Sequence, residues 1–521
     1  MQKPLVILVT TATGSNKTAE ENLGLTYLSS VCRENDIDVT IIDGWLEGLT
    51  SQEITRRILL ERKPIFVGFS CNILNGSTAI KVVQALKSTG YSTPFVAGGF
   101  APTFNPKKFL ESGFDFVAMA ESEGMIINLC KYLVNGTPDI TEIDGLCYRD
   151  KQLDFHFNKP TYIHDLDKLP FPSRDTMQYA IKEKTPVNMI TSRGCMSNCL
   201  FCSVNAFWKL GDVPKWRGRT IKNIVDEMEE LYNKGARHVK FVDDSFIEPP
   251  REEEWCNNFA DEIQNRGLDL RLRITLRADR VTDGIVDALS RAGCNLYACG
   301  IENFSDTALK RMGKGADSNQ NREALDIFKR HNVYVQTGFI LFDYGTTLPE
   351  LKENYEMMDK YSWTICRGVF SEMFAANGTL YTELLHKKGL IKGDAHLGNY
   401  SYEIEDVKVQ MVYKALKEWH ISHMKMYNMV IEPINKPKVL SDGGLGNFYD
   451  LYLDIRKRDL DFMGKIITLV EKDVNQKYLD DFVIQSIDSS SAWFKNQGNS
   501  VEKLFSSEHI SYMAEDDPFT R

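Results

Sequence analysis

The chain has 521 residues, 43% of them hydrophobic and 26% charged, which suits packed cores in roughly two to four domains rather than a disordered chain. A formal net charge of -10 argues against a nucleic-acid partner, whose phosphates are held by clustered Lys and Arg. The cysteines number eleven, an odd count scattered over a long chain, which excludes a secreted disulfide framework.

The opening MQKPLVILVTTATG has an apolar run the length of a buried strand, with no cleavage pattern and too few residues to span a bilayer. No later run is long enough either, so the expectation is a soluble, cytoplasmic protein with no membrane partner. Residues 1–140 alternate apolar runs (PLVILVTTA, IDVTIID, PIFVGFS, PFVAGG, FDFVAMAE) with stretches of helical spacing such as SQEITRRILLE. That alternation predicts an α/β unit, a doubly wound Rossmann-like parallel sheet with ligands beyond its strands' carboxyl ends. Residues 141–185 read as a linker with an extended segment, stiffened at LPFPSRD by two prolines. Over 186–385 the alternation resumes in six runs (NMITSRG, HVKFVDDSF, LRLRITLRAD, LYACGIE, VYVQTGFILF, TICRGVF). Six is too few for a closed eight-stranded barrel and predicts a partial (β/α)6 TIM-type barrel. Residues 386–521 read as a mainly helical, aromatic-rich domain that contributes to a substrate pocket.

The strongest local signal is SRGCMSNCLFCSV, where Cys195, Cys199 and Cys202 follow a predicted strand with C-x3-C-x2-C spacing. Thiolates are soft ligands that suit iron-sulfur clusters and zinc. A zinc site needs a second Cys or His pair some 12 to 20 residues on, and no Cys or His occurs between Cys202 and His238. Three local thiolates instead fit three corners of a [4Fe-4S] cubane, leaving one iron open. The other eight cysteines read as small buried hydrophobes.

With Phe201 as the aromatic of C-x3-C-x-aromatic-C, this stretch resembles the radical-SAM superfamily. The resemblance implies that S-adenosyl-L-methionine (SAM) chelates the open iron, that one electron from the cluster cleaves it to a 5′-deoxyadenosyl radical, and that Phe201 lies by the adenine. The strand RLRITLRAD puts Leu272, Ile274 and Leu276 on one face and Arg271, Arg273, Thr275 and Arg277 on the other. Arginines turned into a barrel are costly unless they meet anions. SAM's carboxylate is a candidate for Arg277; ion pairs with Asp243 or Glu302 are the structural alternative. FVDDSF and CGIENF match the family's second and fourth strand ends, which implies Asp243 or Asp244 near SAM's amino group and Glu302 near its ribose. GFILFDYGTT departs from the family's G-F-I-x-G-x-P, with Phe342 and Asp343 at the departing positions.

Residues 1–140 resemble the cobalamin-binding domain fused to many radical-SAM enzymes, through NLGLTYLSSVCRENDIDVTIIDG, VGFS, VAGGFAPTFNP and AESEG. The resemblance implies a cobalamin site that includes Ser70, Gly98 and Gly99. The corrinoid motif D-x-H-x-x-G aligns with Asp43-Gly44-Trp45-Leu46-Glu47-Gly48, so Trp45 stands where the cobalt-ligating histidine would be. Indole offers only an N–H donor and cannot ligate a metal.

Weaker signals remain. His420 and His423 share a helix face and read as part of a solvated or core-edge face rather than a metal pair. Tyr413, Trp419 and Tyr427 read as core or substrate wall. Arg217 and Arg219, in KWRGR with Trp216 and near Trp208, read as surface ion pairs. The expected reaction, implied by the resemblance, is methylation of an unactivated carbon or phosphorus in a small molecule or peptide through cob(I)alamin and methylcobalamin, with flavodoxin or ferredoxin as electron donor. The alternatives are a non-methylating rearrangement, ring contraction or cyclisation, and a non-catalytic Fe-S/corrinoid sensor.

Overall fold

The structure is a computed structural model that describes residues 2–12, 20–182, 186–435 and 442–507. It opens with five parallel strands, β1 (Leu5–Thr10), β2 (Asp38–Asp43), β3 (Phe66–Ser70), β4 (Phe95–Gly98) and β5 (Phe116–Ala118), in the order β2-β1-β3-β4-β5. Every residue of β1 is buried. Leu5, Ile7 and Val9 enter one core while Val6 and Leu8 enter the other, which is why the run is continuously apolar. The flanking helices are set by local chemistry. Helix Ser51–Leu60 starts at a reciprocal cap, Thr50 Oγ1 accepting from Glu53 N and Glu53 Oε2 from Thr50 N, and turns Ile54 and Ile58 inward one turn apart. Strands β6 (Leu146–Arg149) and β7 (Phe155–Phe157) add antiparallel to β5, so the extended segment after residue 140 widens this sheet.

The second sheet is parallel, in the order β8 (Val187–Met189), β11 (His238–Phe241), β12 (Arg271–Arg277), β13 (Cys294–Glu302) and β14 (Tyr334–Phe339). A two-stranded ribbon, β9 (Ser192–Gly194) with β10 (Trp216–Gly218), follows β8. Five of the six expected runs pair regularly. The sixth contributes one bridge, Ile365 to Gln336. Its main chain is claimed by the helix Asp442–Glu471 instead: Tyr452 donates to Thr364 O (2.5 Å) and accepts from Cys366 N (2.9 Å), and Arg456 donates to Gly368 O (3.0 Å).

The helices Val407–Asn435, Asp442–Glu471 and Gln476–Ser507 form the bundle that buttresses this edge. A small sheet, β15 (Ala375–Ala376), β16 (Ile391–His396) and β17 (Asn399–Tyr402), joins barrel to first sheet. Leu397 packs in the first sheet's core, Asn105 donates to Leu397 O (3.0 Å) and Asn377 donates to Phe104 O (2.8 Å). Among the described residues no helix is long and apolar enough to cross a membrane.

Candidate active site

The ribbon aims the cysteine loop. Gly194 has φ +95°, and a Cβ there would lie 2.0 Å from Lys215 O, so the turn into Cys195 requires glycine. Leu200 then pins the loop by its main chain, donating to Met312 O and accepting from Tyr381 N, both at 2.9 Å. Phe201 packs beside it against the cluster containing Met312 and Tyr381. Cys195, Cys199 and Cys202 are half-exposed while the other eight cysteines are buried. Burial pushes the Cys195 thiol up to about 12, and a bound metal ion would favour its thiolate. Among the described residues no three Cys, His, Asp or Glu side chains converge as they would on one metal ion; a cubane takes its thiolates at separate corners.

The two adjacent aspartates have opposite surroundings. Asp243 is 4% exposed and fully engaged, accepting from Thr191 N (2.7 Å), Thr191 Oγ1 and Ser192 Oγ (2.7 Å), with Arg251 3.8 Å away. Asp244 accepts from Gly194 N (3.0 Å) and Trp208 Nε1 (3.2 Å) and turns its remaining capacity into a cavity. Burial pushes the Asp243 carboxyl above the usual range, whereas Asp244 is exposed at the cavity. Trp208, which the spacing did not single out as a ligand residue, lines the same cavity.

On β12 the leucines and isoleucine are buried and the arginines half-buried, as the period of two requires. Arg277 pairs with neither expected acid. It binds Glu248 (3.0 Å) and Asp279 (2.6 Å), while Asp243 faces Arg251 and Glu302 meets Lys314 (3.0 Å). Glu302 holds φ +62°, a left-handed conformation rare outside glycine. Gly300 and Gly338 leave room for its carboxylate; a Cβ on Gly300 would come within 2.8 Å of it. Asp343, at the departing position of GFILFDYG, is buried against Arg311 at 2.9 Å.

A cavity of about 360 Å³ opens where the two sheets face each other. Ser70, Gly98 and Gly99 line it from the first sheet, Arg193, Trp208 and Asp244 from the second. Gly98 has ordinary clearance for a Cβ, whereas Gly99, at φ +99°, would put one 2.5 Å from Cys71 O. Gly98 thus keeps backbone open toward the cavity, while Gly99 is glycine because its left-handed φ and the main chain of Cys71, just beyond β3, leave no room for a Cβ. Asp43 and Trp45 do not line the cavity. Asp43 is buried, raised to about 6 by that burial, and accepts from Leu46 N (3.0 Å) and Asn22 N (3.4 Å). Asn22 caps the helix Leu23–Glu34 and donates to Ser70 Oγ (3.3 Å), so Asp43 sets the rim indirectly.

Arg217 and Arg219 are not surface pairs. Each is 5% exposed; Arg217 binds Glu121 (2.9 Å) and Arg219 binds Glu227. Arg193 spans Glu121 and Glu123 at 2.6 Å each, locking the cysteine loop's strand to the end of the first sheet. His423 is core, bonded to Trp419 O (2.7 Å) and Ser490 Oγ (2.8 Å), and burial lowers it to about 4. Trp419 and Tyr427 both donate to buried Asp459 at 2.7 Å, while half-buried Tyr413 donates to Glu372 (2.5 Å).

The donor set fits the expected groups: three accessible soft ligands on one short loop, and an apolar cavity with open backbone at the ends of β3 and β4. A model of the radical SAM superfamily matches residues 189–358, and one of the B12 binding domain matches 9–129. The chain is 29% identical over 326 residues to an uncharacterized methyltransferase of Pyrococcus horikoshii, covering 61% of this chain and 69% of that protein. It is 26% identical over 368 residues to the 4′-phospho-dehydrooxetanocin synthase of Priestia megaterium, covering 65% and 48%. It is 26% identical over 321 residues to the anaerobic magnesium-protoporphyrin IX monomethyl ester cyclase of Synechocystis sp., covering 60% and 62%. In fold it is similar to the cobalamin-dependent S-adenosylmethionine radical enzyme OxsB (TM-score 0.78, 21% identity, 97% of this chain and 84% of that one). It is also similar to the radical S-adenosylmethionine methyltransferase TsrM of Kitasatospora setae (TM-score 0.61, 14% identity, 75% and 79%).

Proposed function

This chain belongs to the cobalamin-dependent radical SAM enzymes, whose cofactors are a [4Fe-4S] cluster, SAM and cobalamin, and from that premise we propose that it methylates an unactivated carbon, or phosphorus, of a small molecule or peptide. The observation that carries the reading is the shared cavity, whose walls come from the ends of β3 and β4 on one side and from the cysteine loop's neighbours on the other. When bound, the cluster supplies the electron that splits SAM, and the corrinoid supplies the methyl group.

The protein's own residues then have these roles. Cys195, Cys199 and Cys202 hold three corners of the cluster. Asp244 accepts from SAM's amino group, because its neighbour Asp243 is already engaged by Thr191, Ser192 and Arg251. Phe201 borders the adenine and Glu302 the ribose. Arg277, with Glu248 and Asp279 beside it, steadies the loop side of the site. Ser70 and Gly98 receive the corrinoid, while Asp43, through Asn22, and Gly99 hold their loops. Trp45, at the motif position of the ligating histidine, would offer no imidazole to a bound corrinoid. Arg193 keeps the two sheets at a fixed separation, which orients the reactants and keeps water out. An external flavodoxin or ferredoxin delivers the electron.

A similarity to a methyltransferase favours this reading; similarity to a synthase and a cyclase favours a second one, radical cyclisation or rearrangement without methyl transfer. Anaerobic turnover with labelled SAM, hydroxocobalamin and candidate substrates separates them. S-adenosylhomocysteine formed beside 5′-deoxyadenosine marks methylation, and 5′-deoxyadenosine alone marks the second reading.

A further inference from the structure

Glu248 is fully buried in the loop beyond the carboxyl end of β11, and its carboxylate reaches the cysteine loop. Its Oε1 accepts from the Cys195 thiol (Sγ at 3.4 Å) and from Met196 N at 3.3 Å. The same oxygen meets Arg277 Nη1 at 3.0 Å, and Oε2 lies 3.6 Å from Arg280 Nη2. Arg277 divides its charge with Asp279. A carboxylate taken wholly out of water survives as an anion only where cations and donors meet it, and here two guanidiniums and one main-chain N–H do so.

We propose that Glu248 is a positioning and tuning residue for the iron-sulfur cluster: it fixes the Cys195–Met196 turn and, with Arg280 as counterweight, holds the cluster's reduction potential down. The inference rests on the proposed cluster ligation by Cys195, Cys199 and Cys202. Reduction adds one electron to the cluster, and so one negative charge beside a sulfur ligand. A fixed anion within 4 Å of that ligand opposes the addition, weakly screened because Glu248 itself is fully buried. Net charge and hydrogen bonding near the sulfurs are the protein's main levers on such potentials. Arg280 works the other way, since a nearby cation favours the reduced cluster. A cluster kept hard to reduce is a strong donor once reduced, as sulfonium cleavage requires.

The test uses the full-length protein, anaerobically reconstituted with iron and sulfide and without SAM or substrate, with the reduced fraction read by electron paramagnetic resonance at one fixed poise. Glu248→Gln keeps size and an acceptor but removes the charge. It should load iron and sulfide like the parent and raise the reduced-to-oxidised ratio about tenfold, a shift of ~59 mV for one electron. Arg280→Gln should lower the ratio. A role in folding alone would not give opposite signs. An unchanged or lowered ratio in Glu248→Gln overturns the proposal. If that variant does not load a cluster, Arg280→Gln decides: a lower ratio supports the proposal, and an unchanged or higher one overturns it. A parent protein that takes up no cluster refutes the ligation itself, which is a separate result.

Discussion

Two parallel sheets built from the same strand-helix alternation treat their faces differently. In the first, β1 sends alternate residues into two apolar cores, and the cavity runs from the strand ends at Ser70 and Gly98 back along one face to Leu8, Phe66 and Gly68. In the second, β12 is apolar outside and carries Arg271, Arg273 and Arg277 inside, so the sheet's inner face is itself available for chemistry. A continuous apolar run marks a sheet covered on both faces, whereas a period of two marks one whose inner face carries polar groups.

The contrast breaks most completely at the cysteines. Alanine at Cys195, Cys199 or Cys202 should abolish the iron-sulfide absorbance and 5′-deoxyadenosine formation, whereas Cys71→Ala in the first sheet should leave the cluster intact and only soften the fold. Next comes the aspartate pair. Asp243→Asn strips the buried Arg251 of its counter-charge and should cost about 3–5 kcal/mol in denaturant unfolding. Asp244→Asn should keep the fold and weaken SAM binding, measured by equilibrium dialysis on the reconstituted protein. If Asp244→Asn is the variant that unfolds, the two acids have been assigned the wrong way round. In the first sheet, Gly99→Ala forces a left-handed φ and a 2.5 Å approach, costing about 1–3 kcal/mol, while Gly98→Ala should fold normally and lose cobalamin affinity. The smallest effect is a slope. Burial raises Asp43 to about 6, so the native state binds more protons than the unfolded chain between roughly pH 4 and 6, and stability falls as pH rises through that window. Asp43→Asn should remove up to about 1.4 kcal/mol per pH unit of that slope in unfolding curves across the window.

What the sequence discloses is local. Three cysteines within eight residues, the alternation of β12 and the continuous run of β1 are each readable from neighbours alone. Asp243 and Asp244 were not separable, because β11 stops at Phe241 and the choice is made by Thr191, 52 residues earlier, together with Arg251 in the loop just after the strand. The partners of Arg217, Arg219 and Arg277 were missed because no periodicity marks which acid each arginine meets, whether near (Glu227, Asp279) or distant (Glu121, Glu248). The sixth barrel run reads as a strand by composition, yet Tyr452 and Arg456 take its main chain. Trp208 carried one faint signal, an aromatic shortly after the last cysteine. The boundary near 140 was blurred because β6 and β7 pair with a sheet that composition had already closed.

The bridging segment around Leu397 has a practical consequence for anyone dissecting this protein. Cut loose, the first sheet would present an empty socket beside Phe109 and Gly76 and two bare acids, Glu121 and Glu123; the remainder would present Arg193 and Arg217 to bulk water. Grafting a foreign corrinoid module onto residues 186–507 therefore calls for an incoming surface that supplies both the socket and the acids.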